Sequence, residues 1–325
     1  MTEPVDRRLV LRRLAQAALV VGGAGIAGIV GVRSSGRWRG GPGPVSIPDH
    51  RVPADDRFPP LAIARGPEPE WLVRAAIDRV GGIERFVRPG ETVLLKPNMS
   101  WDRTVEQGAN THPLVVAEVV RLCREARAGR ILVVDVPVHD ANRSAERSGI
   151  RAAALAAGAE VVLPPQAGFT EAALHGSVLE RWEIFSPLFE ADKVINLPVV
   201  KDHALTSFTC GLKNFYGLLG GTRARLHQNV HESIADIAAA IRPTLTVVDA
   251  TRVMVRGGPT GGRLEDVVAM NAVAAGTDPV ALDAWGATLL KLDPRTIPHI
   301  VLAEGKGLGS LQAGVGSLEE ILAGS

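Results

Sequence analysis

Residues 192–203 have the sequence DKVINLPVVKDH, in which an apolar, β-branched run leads into a short polar group. The run over residues 194–200 predicts a buried strand. Lys201 and His203 follow at the point where that strand should end. Open α/β sheets build their binding sites from polar groups at the carboxyl ends of buried strands. We therefore expect a ligand site at this end of the strand.

The use of lysine points to the same stretch. Lys and Arg together number 36, yet Lys stands at six positions only, and three of these adjoin Pro, Asn or His: Lys96, Lys201 and Lys213. Lysine offers a compact charge and a pKa that shifts readily on burial, and arginine offers neither. We interpret these three lysines as candidates for function.

The rest of the chain alternates between buried strands and amphipathic helices. Strand patterns cover residues 61–65, 92–96, 131–135, 160–163, 194–200, 244–249 and 271–275, and residues 181–186 fit an edge strand. Helical patterns lie between them, at residues 69–80, 113–128, 145–157, 232–241, 279–290 and 298–304. Continuously apolar strands that alternate with helices are typical of a mainly parallel sheet. The predicted fold is α/β, doubly wound and Rossmann-like, with helices on both faces.

The amino terminus predicts export. The pair Arg7-Arg8 precedes an uncharged run over residues 14–32, which favours a twin-arginine signal or a membrane anchor in residues 1–33. A G-x-G-x-x-G match at residues 23–28 is rejected as a dinucleotide fingerprint, because linker composition follows it instead of a βαβ unit. The predicted location is periplasmic, or the outer face of the cytoplasmic membrane, with membrane contact through this segment if it is not cleaved.

Composition divides the rest of the chain. Residues 34–60 are rich in Pro and Gly and predict a linker, and residues 61–325 predict one α/β domain. Residues 1–40 hold seven Arg against two acidic residues, so the remainder of a chain of net charge +1 is mildly acidic. That charge argues against nucleic acid as a partner. Cys123 and Cys210 are too few for a four-thiolate cluster, and the sequence leaves open whether they pair.

Polar groups mark the predicted strand ends and the loop that follows the opening stretch. They are Lys96, Asn98, Asp135, Lys201, His203 and Asp249 at strand ends, and Lys213, Asn214 and His227 in the loop. Three converging lysines suit a carboxylate or phosphate, which Asn98 and Asn214 would orient together with Lys96 and His227. Lys201, His203, Lys213, Asp135 and Asp249 would then allow proton transfer near neutral pH. The sequence thus favours an enzyme that binds a small anionic ligand.

Several motifs resemble a known family in content and order. They are LLKPN at 94–98, THP at 111–113, VVDVP at 133–137, INLPVVKDH at 195–203, GLKNFYG at 211–217, VVDA at 247–250 and TDPVALD at 277–283. Over about residues 61–310 the chain resembles the family catalogued as domain of unknown function 362. The resemblance implies an α/β fold and an association with iron–sulfur ferredoxin modules. No Cys-rich module is present here, so no iron–sulfur cluster is expected within this chain, and a redox partner would be a separate protein.

Two further functions stay open. His203 and His227, helped by His231 and an aspartate, would form a site for a divalent metal. Alternatively, the protein is a non-catalytic exported protein that binds its ligand without turnover. Elsewhere, we expect Asp283 at the surface or behind the site. Four histidines lie outside any motif, and we expect ordinary loop or surface positions for them: His50, His139, His175 and His299.

Overall fold

The computed structural model describes residues 43–312 and 319–323. Its strands are β1 (Val45–Ser46), β2 (Leu61–Arg65), β3 (Thr92–Pro97), β4 (Arg130–Val134), β5 (Glu160–Val162), β6 (Phe169–Ala173), β7 (Arg181–Phe185), β8 (Lys193–Leu197), β9 (Val199–His203), β10 (Ser207–Thr209), β11 (Leu245–Met254), β12 (Val267–Gly276) and β13 (Glu319–Leu322).

The α-helices lie mostly between the strands of the large sheet. They are α1 (Pro69–Arg79), α2 (Pro113–Glu125), α3 (Ala141–Arg147), α4 (Ile150–Ala157), α5 (Gly211–Asn214), α6 (Val230–Ala240), α7 (Pro279–Leu289) and α8 (Pro298–Gly305). Short 3-10 helices cover Ile83–Arg85, Val105–Gln107, Ser186–Glu190, Phe215–Leu218, Arg223–Asn229, Leu264–Asp266 and Pro294–Thr296.

The large sheet has the strand order β13-β2-β12-β11-β8-β3-β4-β5, with β9 beside β11 and β10 beside β9. Strands β11, β8, β3, β4 and β5 run parallel to one another. Strand β12 is antiparallel to both of its neighbours, and β10 is antiparallel to β9. The predicted mainly parallel α/β sheet is therefore confirmed, with two antiparallel members.

Alternation along β3 shows how both faces of the sheet are covered. Val93 and Leu95 pack into a core that includes Leu72 of α1 and Val116 of α2. Leu94 points to the opposite face and packs with Phe215. A third core lies around α6, α7 and α8. Because successive side chains of a strand point to opposite faces, a strand covered on both faces has to be apolar throughout.

Among the predicted elements that differ from the structure are three strands. The strand expected over residues 194–200 is split at Pro198 into β8 and β9, because proline has no N–H for the sheet. The strand expected to end at residue 249 continues to Met254. The predicted edge strand at residues 181–186 is β7, which belongs to a separate three-stranded sheet with β1 and β6.

The structure describes part of the predicted linker but not the predicted signal. Within residues 34–60, β1 pairs with β6, and the carbonyl oxygen of the buried His50 accepts a hydrogen bond from Thr244 Oγ1. This part of the linker thus packs against the domain. Residues 1–33, and with them the predicted signal or anchor, lie outside the described residues. No helix within residues 43–312 and 319–323 is long and apolar enough to cross a membrane.

Candidate functional site

Parallel pairing brings the ends of β3 and β4 together, and with them Lys96 and Asp135. Lys96 Nζ lies 3.1 Å from Asp135 Oδ1, and both side chains are buried. Lys96 Nζ also donates to the carbonyl oxygen of Pro97 at 2.6 Å. The other carboxylate oxygen, Asp135 Oδ2, accepts from the backbone N–H of Met99 at 2.6 Å. This ion pair forms the base of the candidate site.

An amide network joins the second lysine to the first. Lys201 Nζ donates to Asn98 Oδ1 at 3.1 Å and to the carbonyl oxygen of Ala109 at 2.5 Å. Asn98 Nδ2 donates to Asn214 Oδ1 at 3.3 Å, and Asn214 Nδ2 donates to the carbonyl oxygen of Lys96 at 2.8 Å. Four of the predicted residues thus share one buried hydrogen-bond network.

The third lysine contacts His203 in an arrangement that fixes the protons on both groups. His203 Nδ1 accepts from the backbone N–H of Leu205 at 3.1 Å, so this ring nitrogen carries a lone pair. A neutral imidazole then holds its proton on Nε2. Lys213 Nζ lies 2.9 Å from Nε2. In this hydrogen bond Nε2–H is the donor, so Lys213 Nζ must be the acceptor. Only a neutral amine has the lone pair that an acceptor needs.

Electrostatics around Lys213 shifts the pKa of both groups toward the neutral form. Burial, with a smaller contribution from the charge of Arg223, lowers the pKa of Lys213 to about 8. Burial and the charges of Lys213 and Lys201 lower the pKa of His203 to about 2, so its imidazole is neutral. Burial and the charge of Lys213 also hold the pKa of Lys201 well below its ordinary value.

We call Lys96, Lys201 and Lys213 the lysine cluster. Lys96 and Lys201 are fully buried, whereas Lys213 is half-buried and so stands at the outer side of the cluster. Surface cavities lie elsewhere, one of them lined by Arg130 and Glu160 and another by Asp102 and Arg143. Among the three lysines of the cluster, Lys213 is the one most exposed to solvent.

Helix α5, which carries Lys213 and Asn214, is held from behind by a carboxylate. Asp283 Oδ1 accepts from the backbone N–H of Gly211 at 2.7 Å, and Asp283 Oδ2 accepts from that of Leu212 at 3.2 Å. Asp283 is fully buried, and burial raises its pKa to about 7. The expected surface alternative is therefore wrong, and Asp283 positions the helix that carries Lys213.

Sequence reasoning missed two more residues of this region. Arg223 donates from Nη1 to the carbonyl oxygen of Val136 at 2.7 Å and from Nη2 to that of Pro137 at 3.0 Å, directly after Asp135. Asn196 accepts from Asn214 Nδ2 at 2.8 Å and donates to the carbonyl oxygen of Gly211 at 3.1 Å. Nothing in the sequence distinguishes Arg223 from the many other arginines. Asn196 could have been found, because it is a polar residue that interrupts the apolar run over residues 194–200.

Gly217 lies against the Lys96–Asp135 pair. A Cβ atom at this position would stand 2.0 Å from Asp135 Oδ1 and 2.6 Å from Lys96 Nζ. Its carbonyl oxygen accepts from the backbone N–H of Val136 at 2.7 Å. Only a residue without a side chain fits between the ion pair and the chain that covers it.

Asp249 has a different environment from the one we expected. Its Oδ2 accepts from the backbone N–H of His112 at 2.7 Å, at the start of α2. Its Oδ1 accepts from Thr251 N at 2.9 Å and from Thr251 Oγ1 at 2.7 Å. No lysine of the described residues lies within ion-pairing distance of Asp249. Asp249 thus stabilises a helix start rather than serving the lysine cluster.

Among the described residues, the histidines that we named as candidate metal ligands do not form a group of three with other metal-binding side chains. His203 has no ring nitrogen free for a metal, since Nδ1 accepts backbone N–H groups and Nε2 faces Lys213. His227 is exposed, and burial with the charge of Lys213 lowers its pKa. Across residues 43–312 and 319–323, no group of three or more His, Cys, Asp or Glu side chains is placed to hold a metal ion.

His231 instead pairs with His299, a histidine that we expected at the surface. Their Nδ1 atoms lie 3.1 Å apart, and their rings are stacked with centres 5.3 Å apart. His299 is fully buried, and burial with the charges of His231 and Lys213 lowers its pKa to about 3. The prediction of a loop or surface position is wrong for His299, which lies buried in α8, whereas His50 is buried but does lie in a loop.

The two cysteines are buried free thiols. Cys123 lies in the core beside α1 and α2, whereas Cys210 lies in the core around α6, α7 and α8. Burial raises the pKa of both thiols. The disulfide that the sequence left open is not formed.

Comparison with known families identifies the chain. The family model described as domain of unknown function (DUF362) matches residues 93–288. This chain belongs to the DUF362 family. The match spans strands β3, β4, β8 and β9 together with all three lysines of the cluster. The DUF362 core is therefore the part of the chain that builds the candidate site.

Relatives and solved structures extend the comparison. A thylakoid-associated protein of Synechocystis sp. is 31% identical over 250 residues, which covers 74% of this chain and 76% of that protein. The lactate racemase apoprotein of Thermoanaerobacterium thermosaccharolyticum superposes with a TM-score of 0.46 at 13% identity. A protein of Thermotoga maritima superposes with a TM-score of 0.37 at 15% identity. This chain spans 60% of the racemase chain and 51% of the Thermotoga chain.

Proposed function

We propose that this DUF362 protein is an enzyme that binds a small carboxylate- or phosphate-bearing ligand at the outer side of the lysine cluster. One observation carries the proposal: Lys96, Lys201 and Arg223 lie near a single carboxylate, that of Asp135, and Lys213 lies near Lys201 and Arg223. Within the described residues, neither Lys201 nor Lys213 has a carboxylate within ion-pairing distance. Buried positive charge without a counterion is costly, and a bound anion would relieve that cost.

The outer side of the cluster has the groups that an anion needs. Lys213 is half-buried, and the exposed His227 lies close enough for the charge of Lys213 to lower its pKa. The buried Lys201 adds positive potential behind them. Charged hydrogen bonds from such groups bind carboxylates and phosphates well.

The pair Lys213–His203 favours an enzyme over a protein that only binds. A binding protein needs positive charge alone, and a protonated lysine supplies it. Here the hydrogen bond from His203 Nε2 selects the neutral amine of Lys213, and its pKa of about 8 lies close to the pH of a cell. A group with such a pKa can accept and return a proton during a reaction.

Anion binding is tested on the purified protein by thermal unfolding with acetate, malonate and phosphate, followed by titration calorimetry on the anion with the largest effect. We expect at least one anion to raise the unfolding temperature of the wild type but not that of Lys213→Met. Lys291→Met is the matched control, because Lys291 is exposed and distant from the cluster in sequence. Equal stabilisation of all three proteins, or of none, would contradict the proposal.

We also propose that residues 1–33 act as a twin-arginine export signal or anchor. Support comes from the Arg7-Arg8 pair before an uncharged run, and from a relative described as thylakoid-associated. In cell fractionation, Arg7→Lys/Arg8→Lys should leave the protein in the cytoplasm, whereas Arg12→Lys/Arg13→Lys should not. An unchanged distribution of the first variant would exclude this signal.

A further inference from the structure

We propose that Lys213 forms an imine with the carbonyl carbon of a small 2-oxo acid. The inference rests on the proposed anion site and narrows its ligands to carboxylates that carry a ketone or an aldehyde. It depends on the geometry between Lys213 and His203, and on the difference between Lys213 and the other two lysines of the cluster.

The hydrogen bond with His203 requires a neutral amine. Two backbone N–H groups, those of Leu205 and Thr206, point at His203 Nδ1 at 3.1 and 3.4 Å. The ring proton is therefore on Nε2. If Lys213 were an ammonium group, two N–H donors would face each other at 2.9 Å without an acceptor between them. The neutral amine removes this conflict. A neutral amine is the nucleophilic form of lysine, and burial near other cations is a common way to obtain it.

Lys96 and Lys201 are not equivalent to Lys213. Lys96 is fully buried and ion-paired with Asp135. Lys201 is fully buried, and its Nζ donates to Asn98 Oδ1 and the carbonyl oxygen of Ala109 beneath the ring of Trp101. Lys213 is half-buried, and its Nζ also lies 5.4 Å from the centre of the ring of Tyr216. Of the three, Lys213 alone combines a neutral form with access from solvent.

The groups around Lys213 fit an oxo acid. The carboxylate of the ligand would be attracted by the positive charge of the cluster, which is expected to raise its local concentration. Its carbonyl oxygen would come within reach of His203 Nε2–H once Lys213 Nζ turns toward the carbonyl carbon. A hydrogen bond at that oxygen stabilises the negative charge that develops during attack. His203 would therefore act as a catalytic residue in this step.

The step balances without an oxidant or a metal. The Nζ lone pair forms a bond to the carbonyl carbon, and the π electron pair of the C=O bond moves to oxygen. One proton passes from nitrogen to that oxygen, which gives a carbinolamine. The hydroxyl group then takes up a further proton and leaves as water, while the nitrogen lone pair forms the C=N bond. One amine, one ketone and one proton thus yield a protonated imine and one water.

Reductive trapping tests the inference directly. The full-length protein is incubated with pyruvate and sodium cyanoborohydride, digested, and mapped by mass spectrometry over its six lysines. We expect a reduced pyruvate adduct on Lys213, and labelling that rises with pH through about 8 before it levels off. Methyl pyruvate has the same ketone but no negative charge. We expect it to label Lys213 at least about tenfold less than pyruvate does.

Two variants give the matched controls. Lys213→Arg keeps the positive charge but cannot form the imine, so it should lose the adduct. Lys291→Arg removes an exposed lysine and should leave the labelling of Lys213 unchanged. Labelling spread evenly over Lys193, Lys213, Lys291 and Lys306, or equal labelling by pyruvate and its ester, would overturn the inference.

Failure of this inference is separable from failure of the anion site. If malonate stabilises the wild type but not Lys213→Met, and pyruvate leaves no adduct on Lys213, the anion site stands and the imine is excluded. If malonate, acetate and phosphate all fail and no adduct forms, both proposals fail. An adduct specific for Lys213 together with malonate binding supports both.

Discussion

Asp135 and Asp249 both follow a run of buried β residues, yet they have different partners. Asp135 comes directly after β4 and meets Lys96 at 3.1 Å. Asp249 lies inside β11, which continues to Met254, and its two oxygens accept from His112 and Thr251. A carboxylate at a true strand end faces the groups of neighbouring strand ends, whereas one inside a longer strand is used by the backbone beside it.

This difference separates a residue of the site from a residue of the fold. Loss of the Asp135 carboxylate would change the charge of the lysine cluster. Loss of the Asp249 carboxylate would leave three hydrogen-bond donors near α2 without their acceptor. The four predictions that follow compare residues of the site with residues that stabilise the fold. They are given from the largest expected effect to the smallest.

Lys96→Met should have the largest effect on stability. It leaves the fully buried Asp135 without its cation, and loss of one member of a buried ion pair costs about 3–5 kcal/mol. Urea unfolding measures this cost. The double variant Lys96→Met/Asp135→Leu should lose less, because no buried charge is left unpaired. An equal loss in the single and double variants would show that packing, rather than charge, dominates here.

Asp249→Ala should destabilise the fold without changing the lysine cluster. Loss of an acceptor for buried donors costs about 1–3 kcal/mol, which urea unfolding would detect. The pH dependence of Lys213 labelling should stay as in the wild type. A changed labelling profile at equal stability would place Asp249 in the site and remove the contrast with Asp135.

Asp283→Asn should change how stability depends on pH. Burial raises the pKa of folded Asp283 to about 7, above the value of about 3.9 in an unfolded chain. A raised pKa means that the wild type loses stability as the pH rises from about 4 to about 7, by about 1–3 kcal/mol. The asparagine variant does not titrate, so urea unfolding at pH 5 and pH 8 should show this loss in the wild type alone. A parallel loss in both proteins would assign the pH dependence to other groups.

His203→Gln should have the smallest effect. It removes the Nε2–H that stabilises neutral Lys213, and a hydrogen bond of about 1 kcal/mol corresponds to a rise in the pKa of Lys213 of about 0.7. The pH midpoint of Lys213 acylation, followed by mass spectrometry, measures the shift. An unchanged midpoint would mean that burial alone sets the protonation of Lys213.

Much of the fold follows from the sequence, for a physical reason. Strands covered on both faces are apolar at every position, so runs such as residues 92–96 and 131–135 are visible without the structure. The break at Pro198 could not be placed, because a single proline is compatible with a strand end or a bulge. Of the small sheet, β7 was predicted as an edge strand, whereas β1 and β6 were missed because β1 has two exposed residues and β6 is only partly buried.

The candidate site was partly predictable. Lys96, Asn98, Asp135 and Lys201 converge because parallel strands place their carboxyl ends at one edge. The backbone partners of Asp249 were not predictable, because every residue except proline has a backbone N–H group and the sequence does not show which of them a carboxylate will bind. The role of His203 was not predictable either, because the tautomer depends on the fold of the turn at Leu205 and Thr206.

The central claim is that Lys213 has a lowered pKa at the outer side of a cationic cluster, and competitive acylation over a pH series tests it most directly. The rate of acylation of each lysine, read by mass spectrometry, reports its pKa, and the exposed Lys291 serves as the internal reference. We predict that Lys213 titrates near 8, below the value of about 10.4 that is usual for lysine. Titration of Lys213 near that usual value would contradict the account.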